Sequence, residues 1–383
     1  MRDLLSTTRI DPHATLTFHG SPRENQGSSE LAAAYTDLVS KQSMNWTTHH
    51  RLGKLLGSGG QGQVFLSACR GTDDFTVPVA VKVFSPQRYG DVRQYEESMR
   101  RIAAVAARVA VIQHDNLLDV HNFVDRNRIR IMVMEWIDGY DLRRLMQHQH
   151  LSALESKLEP RRWRYINEVI ITGGAAQARF KAGVAVAIVR ECLSALAALH
   201  REGIVHGDIK PANLMLKRTG HLKLVDIGSA FDFRNPPNDR DCTPMYAAPE
   251  VLENHQASPR SDLASLGYVL IELLGGCLPF KQGLTFRQLL AAKRELPNFL
   301  HEMLPAEVTR NELLMNFCRG LIAPDPNRRF PSAEAAELVE QGAAAFHRQL
   351  VLSDMSTEYD NDVRLWLEEV ADLDAFRPEE TER

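Results

Sequence analysis

His206-Gly207-Asp208-Ile209-Lys210-Pro211-Ala212-Asn213, followed thirteen residues after the asparagine by Asp226-Ile227-Gly228, gathers two aspartates, a lysine and an asparagine into one short stretch. Each suits a separate part of chemistry at a phosphate. Asp208 can accept a proton from an attacking hydroxyl. Asn213 and Asp226 offer the hard oxygen ligands that Mg²⁺ prefers. Lys210 can neutralise charge on a migrating anionic group. A lone aspartate or asparagine in a loop is commonly just a turn former. The whole set at this spacing is poorly explained that way.

Upstream, Gly57-Ser58-Gly59-Gly60-Gln61-Gly62-Gln63-Val64 lies between strand-like runs at 52–56 and 64–68. Gly57, Gly59 and Gly62 would let backbone N–H groups approach phosphates unobstructed. Such a glycine run is weak by itself and could be a flexible hairpin or a dinucleotide fingerprint. The fingerprint needs a helix directly after the glycines, whereas Val64-Phe65-Leu66 favours a strand. Twenty residues past Gly62 comes Val79-Ala80-Val81-Lys82-Val83. A lone lysine usually faces water, and one buried in such a strand requires a partner.

Taken together, these stretches resemble the motifs of eukaryotic-type (Hanks-type) Ser/Thr protein kinases, over about 46–346. The resemblance implies an α+β, bilobal protein-kinase-like fold, with a small β-rich lobe carrying one long helix and a larger helical lobe. It implies ATP and Mg²⁺ as cofactors and a protein Ser/Thr hydroxyl as acceptor. By it, Asp208 orients and deprotonates the acceptor, Lys210 stabilises developing charge, Asn213 and Asp226 hold Mg²⁺, and Lys82 holds the α- and β-phosphates. That lysine normally pairs with a glutamate of the next helix, for which Glu96 and Glu97 are the candidates. Met99, Ile102, Ala103, Ala106, Val109 and Ala110 mark an apolar stripe. At about 100° per residue Glu96 flanks the stripe and Glu97 points away, so Glu96 is the choice. Ile131-Met132-Val133-Met134-Glu135-Trp136-Ile137-Asp138-Gly139-Tyr140-Asp141-Leu142 resembles the strand and hinge beside adenine. It sets Met134 as gatekeeper, the Glu135 carbonyl and Ile137 N–H against adenine, and Asp141 toward ribose. Val64, Ala80 and Met215 would sandwich the ring. Singly, each apolar residue reads as ordinary core.

Two positions depart from the family pattern. Gly207 replaces the arginine that pairs with a phosphorylated activation loop, so activity independent of that phosphorylation is expected. Ile227 replaces a phenylalanine and stays apolar. His-Gly-Asp also resembles the aminoglycoside and choline phosphotransferases. Thr243-Pro244-Met245-Tyr246-Ala247-Ala248-Pro249-Glu250, Ser261-Asp262-Leu263-Ala264-Ser265-Leu266-Gly267 and Pro324-Asp325-Pro326-Asn327-Arg328-Arg329 argue for the protein kinases instead. Glu250 and Arg329 are expected to form a buried ion pair. Thr243, either a simple turn residue or a neighbour of Asp208 and Lys210, fits the Ser/Thr pattern. A pseudokinase scaffold is the main competing reading, and a small-molecule phosphotransferase a weaker one.

The 383 residues, 44% hydrophobic and 25% charged, are ordinary for a globular protein. A net charge of −4 gives no reason to expect a nucleic-acid partner. The five scattered cysteines read as reduced thiols. Residues 1–20 lack a signal-like apolar core, and the apolar run at 263–280 suits a buried helix better than a membrane span. A cytoplasmic protein is expected. Residues 1–45 read as a mostly disordered arm with a short helix at 31–39. The kinase-like part divides at 46–136 and 137–346. Within it, 147–183 is an extended insert carrying Lys157, Arg161, Arg162, Arg164, Arg179 and Lys181 with Trp163 and Tyr165, read as a solvated loop or a dock for an acidic partner. Residues 347–383 form an acidic tail in which Val363, Trp366, Leu367, Val370 and Leu373 mark an amphipathic helix, docking on the kinase itself or on a partner.

Overall fold

The structure, a computed structural model, describes residues 16–17, 28–41, 44–45, 49–50, 52–71, 73, 75–237, 241–338, 342–346 and 359–375. In the arm, helix α1 (Ser28–Ser40) buries Leu31, Tyr35 and Leu38 at i, i+4 and i+7 and packs near the strand Ile129–Glu135. Leu16–Thr17 pairs antiparallel with Asp241–Cys242. Met44–Asn45 pairs antiparallel with His49–His50, and the expected disorder of residues 1–15 and 18–27 falls outside the described residues.

Five antiparallel strands make the small lobe: β1 (Leu55–Gly59), β2 (Gly62–Arg70), β3 (Thr76–Phe84), β4 (Val120–Arg126) and β5 (Ile129–Glu135). They lie in the order β1-β2-β3-β5-β4. The glycine run is the tip of the β1–β2 hairpin, with Ser58 opposite Gln63 and Gly59 opposite Gly62. Strand therefore follows the glycines, and the dinucleotide alternative falls away. Between β3 and β4, helix α2 (Val92–Val109) is started by the Asp91 side chain, which accepts the Gln94 N–H at 2.8 Å. It turns Tyr95, Met99, Ile102, Ala106 and Val109 inward.

The large lobe is mostly helical. Its 147–183 segment is folded rather than a solvated loop: α3 (His148–Lys157) and α4 (Pro160–Val169) lead into a hairpin of Ile171–Gly173 with Ala178–Phe180. Basic composition hid a helical period there, because Leu151, Leu154, Ile166 and Ile170 are buried while Arg161 and Arg164 stay exposed. The core runs through α5 (Ala182–Arg201) and α6 (Pro259–Gly275). α5 is long and apolar enough to cross a membrane, but 72% of its apolar window is packed inside the protein. α6 opens on a Ser258/Ser261 capping box and ends at Gly276 in the left-handed region, φ 67°. α7 (Phe286–Met303) runs through Pro297, because Leu289, Leu296 and Leu300 keep the buried period going. α8 is Glu312–Ile322.

The tail helix α9 (Tyr359–Ala375) lies against α3 and α5. Trp366, 1% exposed, meets the Phe180 ring edge-on at 5.9 Å, and Arg162 grips Glu369 through two hydrogen bonds of 2.7 and 3.3 Å. The tail thus docks on the insert, two segments that looked unrelated in sequence. Burying a ring of this size contributes about 2–3 kcal/mol.

Candidate active site

Asp262 of α6 organises the 206–208 turn. Its carboxylate accepts the His206 and Gly207 N–H groups, each at 2.9 Å, and lies 2.9 Å from His200 Nε2. Gly207 adopts φ 78°, and a Cβ there would stand 2.9 Å from the Ser229 carbonyl oxygen. The missing arginine therefore coincides with a backbone turn that favours glycine. His206, fully buried, accepts the Asp208 N–H at Nδ1 (3.4 Å) and donates from Nε2 to the Val225 carbonyl (3.1 Å).

Asp208 is the hub of a compact polar cluster. Its Oδ1 accepts the Thr243 hydroxyl at 2.7 Å and the Thr243 N–H at 3.1 Å. Lys210 Nζ reaches Asp208 Oδ2 at 2.7 Å and the Thr243 hydroxyl oxygen at 2.9 Å. Asn213 Nδ2 donates to the Asp208 carbonyl at 2.7 Å. Thr243, 35 residues away in sequence, is thus no idle turn residue.

The antiparallel pair Leu214–Lys217 and Leu222–Leu224 carries Asn213 and Asp226 to the same end, where the Val225 N–H donates to the Asn213 carbonyl at 2.9 Å. Asp226 sits in the left-handed region at φ 63°, and its Oδ1 accepts the Gly228 N–H (3.1 Å) and Lys82 Nζ (2.5 Å). Burial pushes this carboxyl up, but the Lys82 charge and hydrogen bond, helped by Lys210 and the Gly228 N–H, hold it down to about 2. Its side chain is still 35% exposed, so an ion could reach it. Asn213 donates through its amide nitrogen, which leaves its oxygen for a cation. Among the described residues no group of three or more His, Cys, Asp or Glu gathers as a metal site. One carboxylate and one amide oxygen nevertheless fit Mg²⁺, which completes its shell with water and phosphate.

Lys82, 4% exposed, enters from β3 and joins the two lobes through Asp226. Its second acceptor is Gln61 Oε1 of the hairpin tip, at 2.8 Å. The expected Glu96 partner is not there. Glu96 points outward and pairs with Arg128 at 2.8 Å, while Glu97 is exposed on the same helix. The inward turns of α2 carry Tyr95, Ser98, Met99 and Ile102, which leaves no carboxylate on that face. Of the loop glycines, Gly62 is demanded by packing: φ is 139° and a Cβ would overlap the Val83 carbonyl at 2.0 Å. Gly57 and Gly59 have open space around them.

Ala80, Met134 and Ile137 form a small apolar cluster with Leu118, bordered by Val64, Met215 and Val225. Val64, Ala80, Met134, Ile137 and Met215, the apolar residues expected around the ring, all fall in or beside this cluster. Leu118 and Val225 escaped sequence reading; Leu118 sits in no motif, whereas Val225 directly precedes Asp226. Glu135 stands at the edge, its carboxylate accepting from Lys223 Nζ (2.5 Å) and the Asp119 N–H (2.8 Å). Asp141 caps Leu142–Leu145 through the Arg144 N–H at 2.9 Å, and burial pushes its pKa up.

Below the 243–250 segment, Arg329 meets Glu250 through two 2.7 Å bonds, and Ser261 donates to the same carboxylate at 2.7 Å. Lys293, fully buried on α7, had no sequence signal. Its Nζ donates to the Met245 carbonyl at 2.7 Å and lies 4.0 and 4.2 Å from the Tyr268 and Phe280 ring centroids.

Comparison with known proteins agrees with this geometry. The family model for the protein kinase domain matches residues 50–340. The chain is 31% identical over 208 residues to the probable serine/threonine-protein kinase pknA2 of Bifidobacterium longum, covering 53% of this chain and 23% of that protein. It is 30% identical over 236 residues to serine/threonine-protein kinase PknD of Mycobacterium tuberculosis, covering 61% and 30% respectively. It is 27% identical over 289 residues to serine/threonine-protein kinase AtPK1/AtPK6 of Arabidopsis thaliana, covering 73% and 57%. The matches therefore span between 23% and 57% of these relatives' own lengths.

Proposed function

The chain belongs to the protein kinase domain family, and on that footing we propose that it transfers the γ-phosphoryl group of Mg·ATP to a serine or threonine hydroxyl of a protein. The observation that carries this reading is the Asp208–Lys210–Thr243–Asn213 cluster, joined through Asn213 and Asp226 to Lys82. Asp208 Oδ1, which here accepts from Thr243, is the oxygen to receive the acceptor's proton. Lys210, beside it, balances charge as the phosphoryl group moves. Asn213 and Asp226 would hold Mg²⁺, which supplies charge neutralisation across the phosphate oxygens. Lys82 and the flap bearing Gly57, Gly59 and Gly62 hold the phosphates. The Ala80–Met134–Ile137 cluster with Val64 and Met215 takes the adenine, Glu135 and Ile137 offer their backbone to its edge, and Asp141 faces the ribose.

The same reading includes independence from activation-loop phosphorylation. Position 207 is glycine, and the segment after Asp226 is already tied to the small lobe by the ion pairs Arg108–Asp232, at 2.7 Å, and Arg88–Asp241. Carboxylates do there what a phosphate would otherwise do. A cytoplasmic setting is consistent with five cysteines that are all free. The test is incorporation of labelled γ-phosphate into the chain and into an acceptor protein, with phosphoamino-acid mapping. Phosphoserine or phosphothreonine that disappears in Asp208→Ala and survives phosphatase pretreatment of the kinase is the expected result. Nucleotide binding without incorporation would instead favour a scaffold.

A further inference from the structure

A buried ammonium must be compensated, and α2 does nothing for Lys82. Its inner face offers Ser98 and Ile102 across a cavity of about 380 Å³ shared with Gly228 and Ser229. Two acceptors remain among the described residues: Asp226 Oδ1 and Gln61 Oε1. Asp226 is also the carboxylate best placed for a cation, so its hold on Lys82 must loosen when a metal draws on it. Gln61 has no such second duty. It sits at the hairpin tip and reaches down over Gly228, where an added Cβ would meet its Oε1 at 2.0 Å and Lys82 Nζ at 2.9 Å. Its Nε2 donates to the Ser229 hydroxyl oxygen at 2.9 Å. The amide therefore spans 168 residues of chain, tying the glycine flap to the far side of the Asp226 turn with Lys82 held between. Gly228 leaves the room it needs.

We propose that Gln61 is a positioning residue for Lys82, taking from the flap the place a helix carboxylate would fill and coupling flap closure to the Asp226 turn. The inference rests on the kinase reading above for its kinetic consequence, though not for its geometry. A glutamine supplies a neutral acceptor and a donor at once, which a carboxylate cannot do, and this is why Ser229 can be engaged together with Lys82.

In the full chain, Gln61→Ala is expected to raise KM for ATP and lower kcat, so that kcat/KM for ATP falls roughly ten- to a hundredfold, the range for losing a hydrogen bond to a charged group. KM for the acceptor protein should stay within about twofold of wild type, and the melting temperature should fall by only a few degrees, the scale of losing one or two part-buried hydrogen bonds. Gln61→Glu, which restores an acceptor for Lys82, should recover much of the loss, and Gln61→Leu should not. An unchanged or higher kcat/KM in Gln61→Ala would overturn the proposal, the latter showing that the amide blocks the phosphates. If the wild type transfers no phosphate, the kinase reading fails but this inference is still tested. Labelling of Lys82 by an amine-reactive reagent in nucleotide-free protein, followed by mass spectrometry, should then be several-fold faster in Gln61→Ala by the same hydrogen-bond argument. Equal labelling rates would refute the contact.

Discussion

The two walls of the cleft are built in opposite ways. On the large-lobe wall, Asp208, Lys210 and Asn213 lie within six residues of one another, and α6 fixes their turn through Asp262. Asp208 ties Lys210, Asn213 and Thr243 together inside the wall itself. On the small-lobe wall, the hydrogen-bond partners of Lys82 among the described residues are remote in sequence, 21 and 144 residues away. The first wall is self-supporting, so local sequence predicts it. The second is completed only when hairpin tip and Asp226 turn meet, so helical register on α2 misled the search for the lysine's partner.

The contrast can be broken at several points. Asp208→Asn should lower kcat by roughly 10²–10⁴-fold, the range for losing a general base; a loss under tenfold would contradict the hub role. Arg329→Ala should act on stability rather than chemistry, costing about 3–5 kcal/mol because Glu250 is left buried without its partner. Urea titration measures this, and a cost below about 1 kcal/mol would place the pair among ordinary surface bridges. Burial raises the Glu250 pKa, but Arg329 and Ser261 lower it more, for a net depression. Stability from this pair is therefore present above the usual carboxylate range and is lost as pH falls through the depressed folded value.

Smaller effects sharpen the same comparison. Glu96→Ala should change kcat/KM for ATP less than about twofold and stability by less than about 1 kcal/mol, since its pair with Arg128 is largely exposed. A large loss of activity would restore α2 as the source of the Lys82 partner. Burial pushes Lys293 well below the usual lysine range. Between that depressed value and the unfolded value near ~10.4, the unfolded chain holds more protons, so stability rises with pH across the window. Lys293→Met should flatten that slope in melting curves taken from pH 7 to 10, as a buried apolar side chain does not titrate.

What was legible followed the same division. Spacing together with the kinase resemblance picked out the 206–226 loop, the glycine hairpin and Lys82, each punctuated by glycine or by polar residues of restricted use. The apolar cluster around Ala80 and Met134 was picked out through its order between those motifs. Leu118 was not, since nothing local marks it. The insert was misread because arginines dominate its composition while burial depends on period: Trp163, Ile166 and Ile170 recur at helical intervals and join the core. Gln61 looked like filler in a glycine loop. Only the fold shows what its amide touches.

Gly207 has a consequence for how such a chain could change over time. One codon step leads from glycine to arginine, yet a side chain at φ 78° is strained and its Cβ would press on the Ser229 carbonyl. Ser229 is the same residue that Gln61 engages. A replacement at this large-lobe turn would therefore be felt on the opposite wall, at the residue that anchors the amide beside Lys82.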